Sequence, residues 1–338
     1  MTTPHASLPR RALLGLATAA ALGLSAPVQA QKVMEFRYGH MNPPTSAAGM
    51  QAAWFAEAVG KYSNGQIKVT VYPSSQLGKL QELAEAVSTG TIALSHNTAA
   101  GIGSLYAPFA ALDTPYLYRD VDHLMKVVDT NGPVMTKLNE GLIKAAGVRV
   151  LYGYYFGTRQ LTAKKAAYQP SDLQGVKIRA IPFPIYTTTV AGLGAVPVPV
   201  DWSEVPTALA TGVVSGQENP VNVVLSSKLY EQQSHMMLTS HIMNAQLIVI
   251  NEKTWAALSP EMKAAVSKAA DEVRQRATDM VRQSEAEETA KLKELKMTII
   301  GPAEGLKLDA FKASVNKAVG EKFGATYGDL YKEIAAVK

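Results

Sequence analysis

The 338-residue chain carries 33 Lys+Arg against 28 Asp+Glu, six His and no Cys. The missing cysteine excludes disulfide scaffolds, thiolate metal sites and cysteine nucleophiles, so stability has to come from packing. Basic residues are scattered among acids rather than gathered on one stripe, which argues against a nucleic-acid partner and leaves a small positive excess that suits an anionic ligand.

Taken in chain order, Arg10 and Arg11 precede an uncharged stretch over 12–30 whose apolar core spans 13–24, and Val28-Gln29-Ala30 ends it with modest side chains. The pattern is that of a signal peptide, residues 1–30, cleaved after Ala30. Its apolar core is shorter than the ~20 residues of a spanning helix. The run Leu8-Pro9-Arg10-Arg11-Ala12-Leu13-Leu14 also resembles a twin-arginine export signal, so two export routes stay open. Removal of 1–30 lowers Lys+Arg from 33 to 31 against 28 acids, a formal +3, and leaves 308 residues. That length exceeds one ordinary core, so two domains are expected in a periplasmic protein.

The mature chain opens on a strand-like 33–39 and a polar turn, Met41-Asn42-Pro43-Pro44. A helix entered at Thr45 or Ser46 should carry Met50, Trp54, Phe55 and Val59 inward and stop at Asn64-Gly65. Ile67, Val69 and Val71 alternate with polar residues as in a half-buried strand, and a helix with Leu80, Leu83, Ala84 and Val87 follows. This β-α-β-α rhythm predicts an α/β sheet. Further strands are expected at 148–151, at Val176, Ile178 and Ala180, at Val213-Val214 and at 247–250. Ser259-Pro260-Glu261 opens a run to about 296 without Gly or Pro. Unbroken, that helix would reach roughly 50 Å and could brace two domains.

Catalytic signatures are missing. Gly101-Ile102-Gly103-Ser104 lacks the context of a nucleophile elbow, Gly192-Leu193-Gly194 lacks a third glycine, and the histidines show no metal spacing. We therefore expect no enzyme, no catalytic residues, no metal and no cofactor. Scattered carboxylates could still pair in space, which keeps a secreted hydrolase or lyase on a two-lobed scaffold as the alternative.

Five ordered segments carry a resemblance: Tyr72-Pro73-Ser74-Ser75-Gln76-Leu77-Gly78, Leu112-Asp113-Thr114-Pro115-Tyr116-Leu117-Tyr118, Gly157-Thr158-Arg159-Gln160-Leu161-Thr162, Asp172-Leu173-Gln174-Gly175-Val176-Lys177-Ile178-Arg179, and Gly212-Val213-Val214-Ser215-Gly216-Gln217-Glu218-Asn219-Pro220. Together they resemble the signature blocks of the DctP-type solute-binding proteins of tripartite ATP-independent periplasmic (TRAP) transporters. The resemblance implies a two-lobed periplasmic binding protein fold of α/β class, with a ligand cleft between lobes and a long helix bracing both. It implies lobe I from 31–156 plus about 245–284 and lobe II from 157–244 plus about 285–338. Read from its alternation alone, Arg179 would sit on a solvated strand face; the resemblance instead makes it the residue that pairs with the ligand carboxylate, a task suited to its planar fork. Arg159 corresponds to a second arginine near the ligand, Asn219 to a polar contact, and Trp202 to an aromatic that packs beside it.

His40 with Asn42, and His96 with Asn97, stand where the family varies its ligand contacts, and Tyr154, Tyr155 and Phe156 could line the cleft or the core. The implied partners are a small organic-acid anion and the TRAP permease, met by a monomer that touches the membrane only through that transporter. A sugar acid or other hydroxy or keto acid is favoured, with dicarboxylates and aromatic acids as alternatives. Ser215 and Ala210 depart from frequent family residues, as does Tyr118, which bears on subfamily more than on fold.

Overall fold

The structure is a computed structural model that describes residues 1–3 and 33–338, so the signal-peptide reading lies outside the described residues. Among the described residues no helix is long and apolar enough to cross a membrane. Residues 34–338 build one nine-stranded mixed sheet with helices on its faces. The strands are β1 (Met34–Gly39), β2 (Ile67–Tyr72), β3 (Leu94–Thr98), β4 (Val148–Ala163), β5 (Lys177–Ala180), β6 (Val196–Pro199), β7 (Gly216–Pro220), β8 (His235–Asn251) and β9 (Thr298–Ile300).

The antiparallel pair β4–β8 is the axis of the molecule. One wing, β3-β1-β2, hangs on the Gln246–Ile250 half of β8, and the other, β7-β5-β6, hangs on the Arg159–Ala163 half of β4. Each wing thus joins a different strand at a different end of the ribbon, and the result is two lobes. Three irregularities break the ribbon's register, one of them between Tyr155 and Gly157. Gly157 has φ +124°, and a Cβ there would lie 2.6 Å from Pro220 Cβ, so only glycine passes this point.

The sequence placed most elements and truncated the two longest strands. Ser46 caps the helix Ala47–Tyr62, its Oγ accepting from Gly49 N–H at 3.1 Å. Phe55 and Val59 are buried there as expected, whereas Met50 and Trp54 are only half-buried, because Trp54 lies under the Arg276 guanidinium at 3.7 Å instead of entering the core. The strand expected at Val213-Val214 is absent; Val213 is half exposed in a bend, and pairing begins at Gly216.

The long helix runs unbroken over Pro260–Glu294, capped by Ser259, with Glu261 in its first turn and Lys291 and Lys293 in its last, each favourable to the helix dipole. At 1.5 Å per residue it extends about 50 Å. It supplies Val266 to Ala277 to one apolar cluster, Val281 to a second and Leu292 to a third. This is the brace. The C-terminal helix Leu308–Ala336 is a second one, which the sequence assigned wholly to lobe II. It begins against Gly192, beside Val315, and ends with Tyr331 bonded to Thr114 and the Ile334 carbonyl bonded to His123.

Candidate functional site

In both wings the parallel strands point their C-terminal ends at one cavity, the place where open α/β sheets hold ligands. Its lining includes Met41 and Asn42 after β1, Thr98 at the end of β3, Arg179 and Ile181 at the end of β5, Asn219 in β7, and Gln246 in β8. Leu80, Phe156, Arg159, Trp202 and Val223 complete the wall. Of the residues singled out from sequence, Arg159, Arg179, Asn219, Trp202 and Asn42 line it directly.

Arg179 is 1% exposed, so the solvated-face reading of its alternation fails: the far face of β5 is covered too. Its Nε donates to the Val200 carbonyl at 2.8 Å, and neither Nη group has an acceptor among the described residues. Burial lowers its pKa to about 10, which leaves it a cation at neutral pH. The indole of Trp202 lies 5.9 Å from the guanidinium.

Arg159 is placed beside it and is already committed. Nε and Nη2 donate to the two Glu218 carboxylate oxygens at 2.5 and 2.8 Å, Nη2 also to the Glu218 carbonyl at 2.6 Å, and Nη1 to Asn244 Oδ1 at 3.2 Å. The fork that would grip a ligand carboxylate instead grips a protein one. Burial pushes Glu218 up, but the Arg159 charge and the bonds from His241 and Arg159 outweigh it and hold the carboxyl at about 2. His241 Nε2 stands 3.0 Å from Glu218 Oε2, and its Nδ1 is 2.8 Å from Thr239 Oγ1. Asn244 extends the network, donating to Asp113 Oδ1 at 3.0 Å, while Ala100 N–H donates to Asp113 Oδ2 at 2.8 Å. The Tyr186 ring stacks on Arg159, with the guanidinium carbon 5.3 Å from its centroid.

Next to the lining residues Met41 and Gln246, but not themselves in the lining, His40, His96 and Tyr154 form a cluster of different character. His40 and His96 are buried with ring centroids 5.2 Å apart, and all four ring nitrogens lack a partner among the described residues. Burial lowers His40 to about 4 and His96 well below the ordinary range, so both are neutral at pH 7. Tyr154 Oη and Gln246 Oε1 are likewise buried and unpartnered, on strand positions that face each other in register. Buried polar atoms are almost always satisfied, so these unpartnered atoms beside the cavity stand out. Asn97 belongs elsewhere: its Nδ2 donates to the Leu80 carbonyl at 2.7 Å, on the sheet face away from His96. Asn219 donates from Nδ2 to Gln217 Oε1 at 2.5 Å while lining the cavity. Phe156 lines it too; Tyr154 lies in the core, and Tyr155 turns to Glu285 of the long helix at 2.7 Å.

Sequence reasoning missed Glu218, His241, Asn244, Asp113, Thr98 and Gln246. Glu218 and Asp113 stood inside two of the quoted blocks, and a buried arginine needs an acid. Nothing local flagged Gln246 in its apolar surroundings.

Comparison with known proteins agrees with this geometry. A solute-binding protein of Roseobacter denitrificans is 31% identical over 310 residues, covering 91% of this chain and 92% of its own. A TRAP periplasmic solute-binding protein from Roseobacter denitrificans, solved with bound L-galactonate, superposes with a TM-score of 0.84 at 28% identity over 90% of this chain and 100% of the other. Another from Polaromonas, bound to D-erythronate, gives 0.82 at 29% identity over 90% and 99%. The family model for bacterial extracellular solute-binding proteins, family 7, matches residues 38–325, and this chain therefore belongs to that family, DctP, the solute-binding proteins of TRAP transporters.

Proposed function

We propose that the chain captures a sugar acid in the periplasm, seats its carboxylate on Arg179 and turns its hydroxylated tail toward His40, His96, Tyr154 and Gln246. It then delivers the ligand, as a monomer and without covalent change, to a TRAP permease. The observation that carries this reading is the pair of Nη groups, unpartnered among the described residues, on a buried Arg179 fixed by the Val200 carbonyl. Two parallel donors match the two oxygens of a carboxylate. Glu218 bonds Arg159 and Asp201 bonds Lys79, so neither carboxylate near Arg179 is hydrogen-bonded to it.

The cluster of His40, His96, Tyr154 and Gln246 beside the cavity selects the tail attached to that carboxylate. A neutral imidazole offers one donor and one acceptor, and a hydroxyl answers both. A second carboxylate there would be buried without a cation, a costly arrangement. A polyhydroxy monoacid therefore fits better than a dicarboxylate, in line with the galactonate and erythronate held by the two structural relatives. Arg159 acts from behind, holding Glu218 and orienting the cavity floor, and Asn219, Asn42 and Trp202 contact the ligand from the sides.

The lobes divide at Gly157, so that 31–156 with about 245–284 moves against 157–244 with about 285–307, the C-terminal helix being shared. Ligand contacts on both walls favour the closed form, and the permease reads that form. A thermal-shift screen tests the assignment. Galactonate, erythronate and glucuronate should raise the melting temperature more than succinate, malate or benzoate, and mass spectrometry should recover the ligand unchanged. A larger shift with succinate would overturn the sugar-acid reading, and consumption of the ligand would point to a hydrolase or lyase.

A further inference from the structure

We infer that Lys79 is a positioning residue for this site: by bridging Asp201 and Glu204 across the cavity mouth it holds Trp202 as a cap on Arg179 and sets how long the ligand stays. Lys79 Nζ lies 2.9 Å from Asp201 Oδ2 and 2.9 Å from Glu204 Oε1. The lysine opens the helix Leu80–Thr89 on the β3 side, where Asn97 anchors the Leu80 carbonyl. The two acids flank Trp202 in the turn that follows β6, at the outer edge of the other wing. In the sheet these wings meet only through β8 and β4; the two long helices tie them elsewhere, and the bridge adds a contact at the cavity mouth.

Its place relative to the ligand is set by neighbouring residues. Leu80 and Trp202 line the cavity, and Lys79 and Asp201 immediately precede them, which puts the ion bridge on the rim. Trp202 is half-buried and packs against all three apolar clusters of the molecule. A turn held by one ion pair could pivot about it; contacts on both sides of the tryptophan remove that freedom. Both acids hydrogen-bond the ammonium and hold its pKa above the ordinary range, so the bridge stays charged through neutral pH. Around it, Glu82 is occupied in accepting the Lys79 backbone N–H at 2.9 Å, and Glu85 lines the same outer groove.

The inference rests on this cavity being the ligand site, and the experiment keeps the two apart. Stopped-flow dissociation of L-galactonate would be measured for wild type, Lys79→Met, Lys79→Arg and the swap Lys79→Glu with Asp201→Lys, at low and high salt. Exposed pairs are individually weak, so Lys79→Met should release the ligand roughly two- to ten-fold faster. It should also lose most of the salt dependence of wild type, with Arg and the swap restoring slow release. Unchanged release from Lys79→Met, or a change confined to the association rate, overturns the inference.

If wild type binds no sugar acid, the ligand assignment fails and the bridge is read without ligand. Because the chain lacks cysteine, spin labels at Lys68→Cys and Lys177→Cys report the distance between wings cleanly. A longer, broader distribution in Lys79→Met supports the bridge, and an identical one refutes it.

Discussion

Replacing Arg179 separates recognition from folding more sharply than any other change in this molecule. The guanidinium is buried, yet its only hydrogen bond among the described residues is the one from Nε to Val200, so the ligand-free fold gains little from its charge and bears its desolvation. Two charge-assisted bonds to a carboxylate, each about 1.5–3 kcal/mol, put the loss in Arg179→Ala at about 3–6 kcal/mol. That corresponds to a Kd roughly 150- to 25,000-fold weaker. Lysine keeps a charge but offers a point where the site needs a fork, and it forfeits the Val200 contact, so Arg179→Lys should weaken binding roughly 10- to 100-fold. Calorimetric titration with L-galactonate measures both, and the ligand-free melting temperature should move by no more than a few degrees. Binding by Arg179→Lys within three-fold of wild type would refute the clamp. A collapse of the ligand-free melting temperature in Arg179→Ala would make the residue structural instead.

Arg159 should behave in the opposite way. Its removal strands the fully buried Glu218, so Arg159→Ala should lower the ligand-free melting temperature by roughly 5–15 °C in a calorimetric scan, for about 3–5 kcal/mol lost. At Gly157 the positive φ and the close Pro220 predict that Gly157→Ala costs about 1–3 kcal/mol, read from urea midpoints at constant slope. The buried histidines set an acid limit. His40 is depressed to about 4 from 6.5, so the unfolded chain takes up the proton first. Its stabilising contribution is full above pH 6.5 and is lost as pH falls toward 4. The loss at pH 4.5 is about 2–3 kcal/mol, and urea titrations of His40→Gln should show a correspondingly flatter decline between pH 6.5 and 4.5.

Much of the fold was legible because local rules and tertiary packing agreed. Ser259-Pro260 with an acidic first turn and no later breaker made the brace visible as one helix, and the cap at Ser46 was equally plain. The two ribbon strands were truncated for the converse reason. Gly153 and Gly157 interrupt the apolar pattern of β4, and its three register shifts spoil the period of two on which strand reading depends. The second brace went unseen because Gly320, Gly324 and Gly328 punctuate the C-terminal helix as a loop would. Their Cβ positions point into open space, so the helix tolerates them at a propensity cost that its buried Phe311, Val315, Val319 and Phe323 offset.

The two arginines show where sequence stops and geometry begins. Both sat in family-like blocks, both are 1% exposed, and chain-level reasoning placed both at the ligand. What divides them is register. Pairing of β4 with β7 sets Arg159 opposite Pro220, within reach of Glu218, and leaves Arg179 on β5 with only a backbone carbonyl to hold. Charge is set by that pairing: one cation is neutralised before any ligand arrives, and the other keeps two donors free. The same register places Tyr154 across from Gln246 and His96 across from Ile248, gathering polar atoms from three strands that no window along the chain contains. A site assembled across strands is written in their alignment, and an exchange of Arg179 and Arg159 for lysine, one at a time, should therefore divide cleanly into a binding loss and a stability loss. If both variants lost stability equally, the division of labour drawn from β4–β7 register would be wrong.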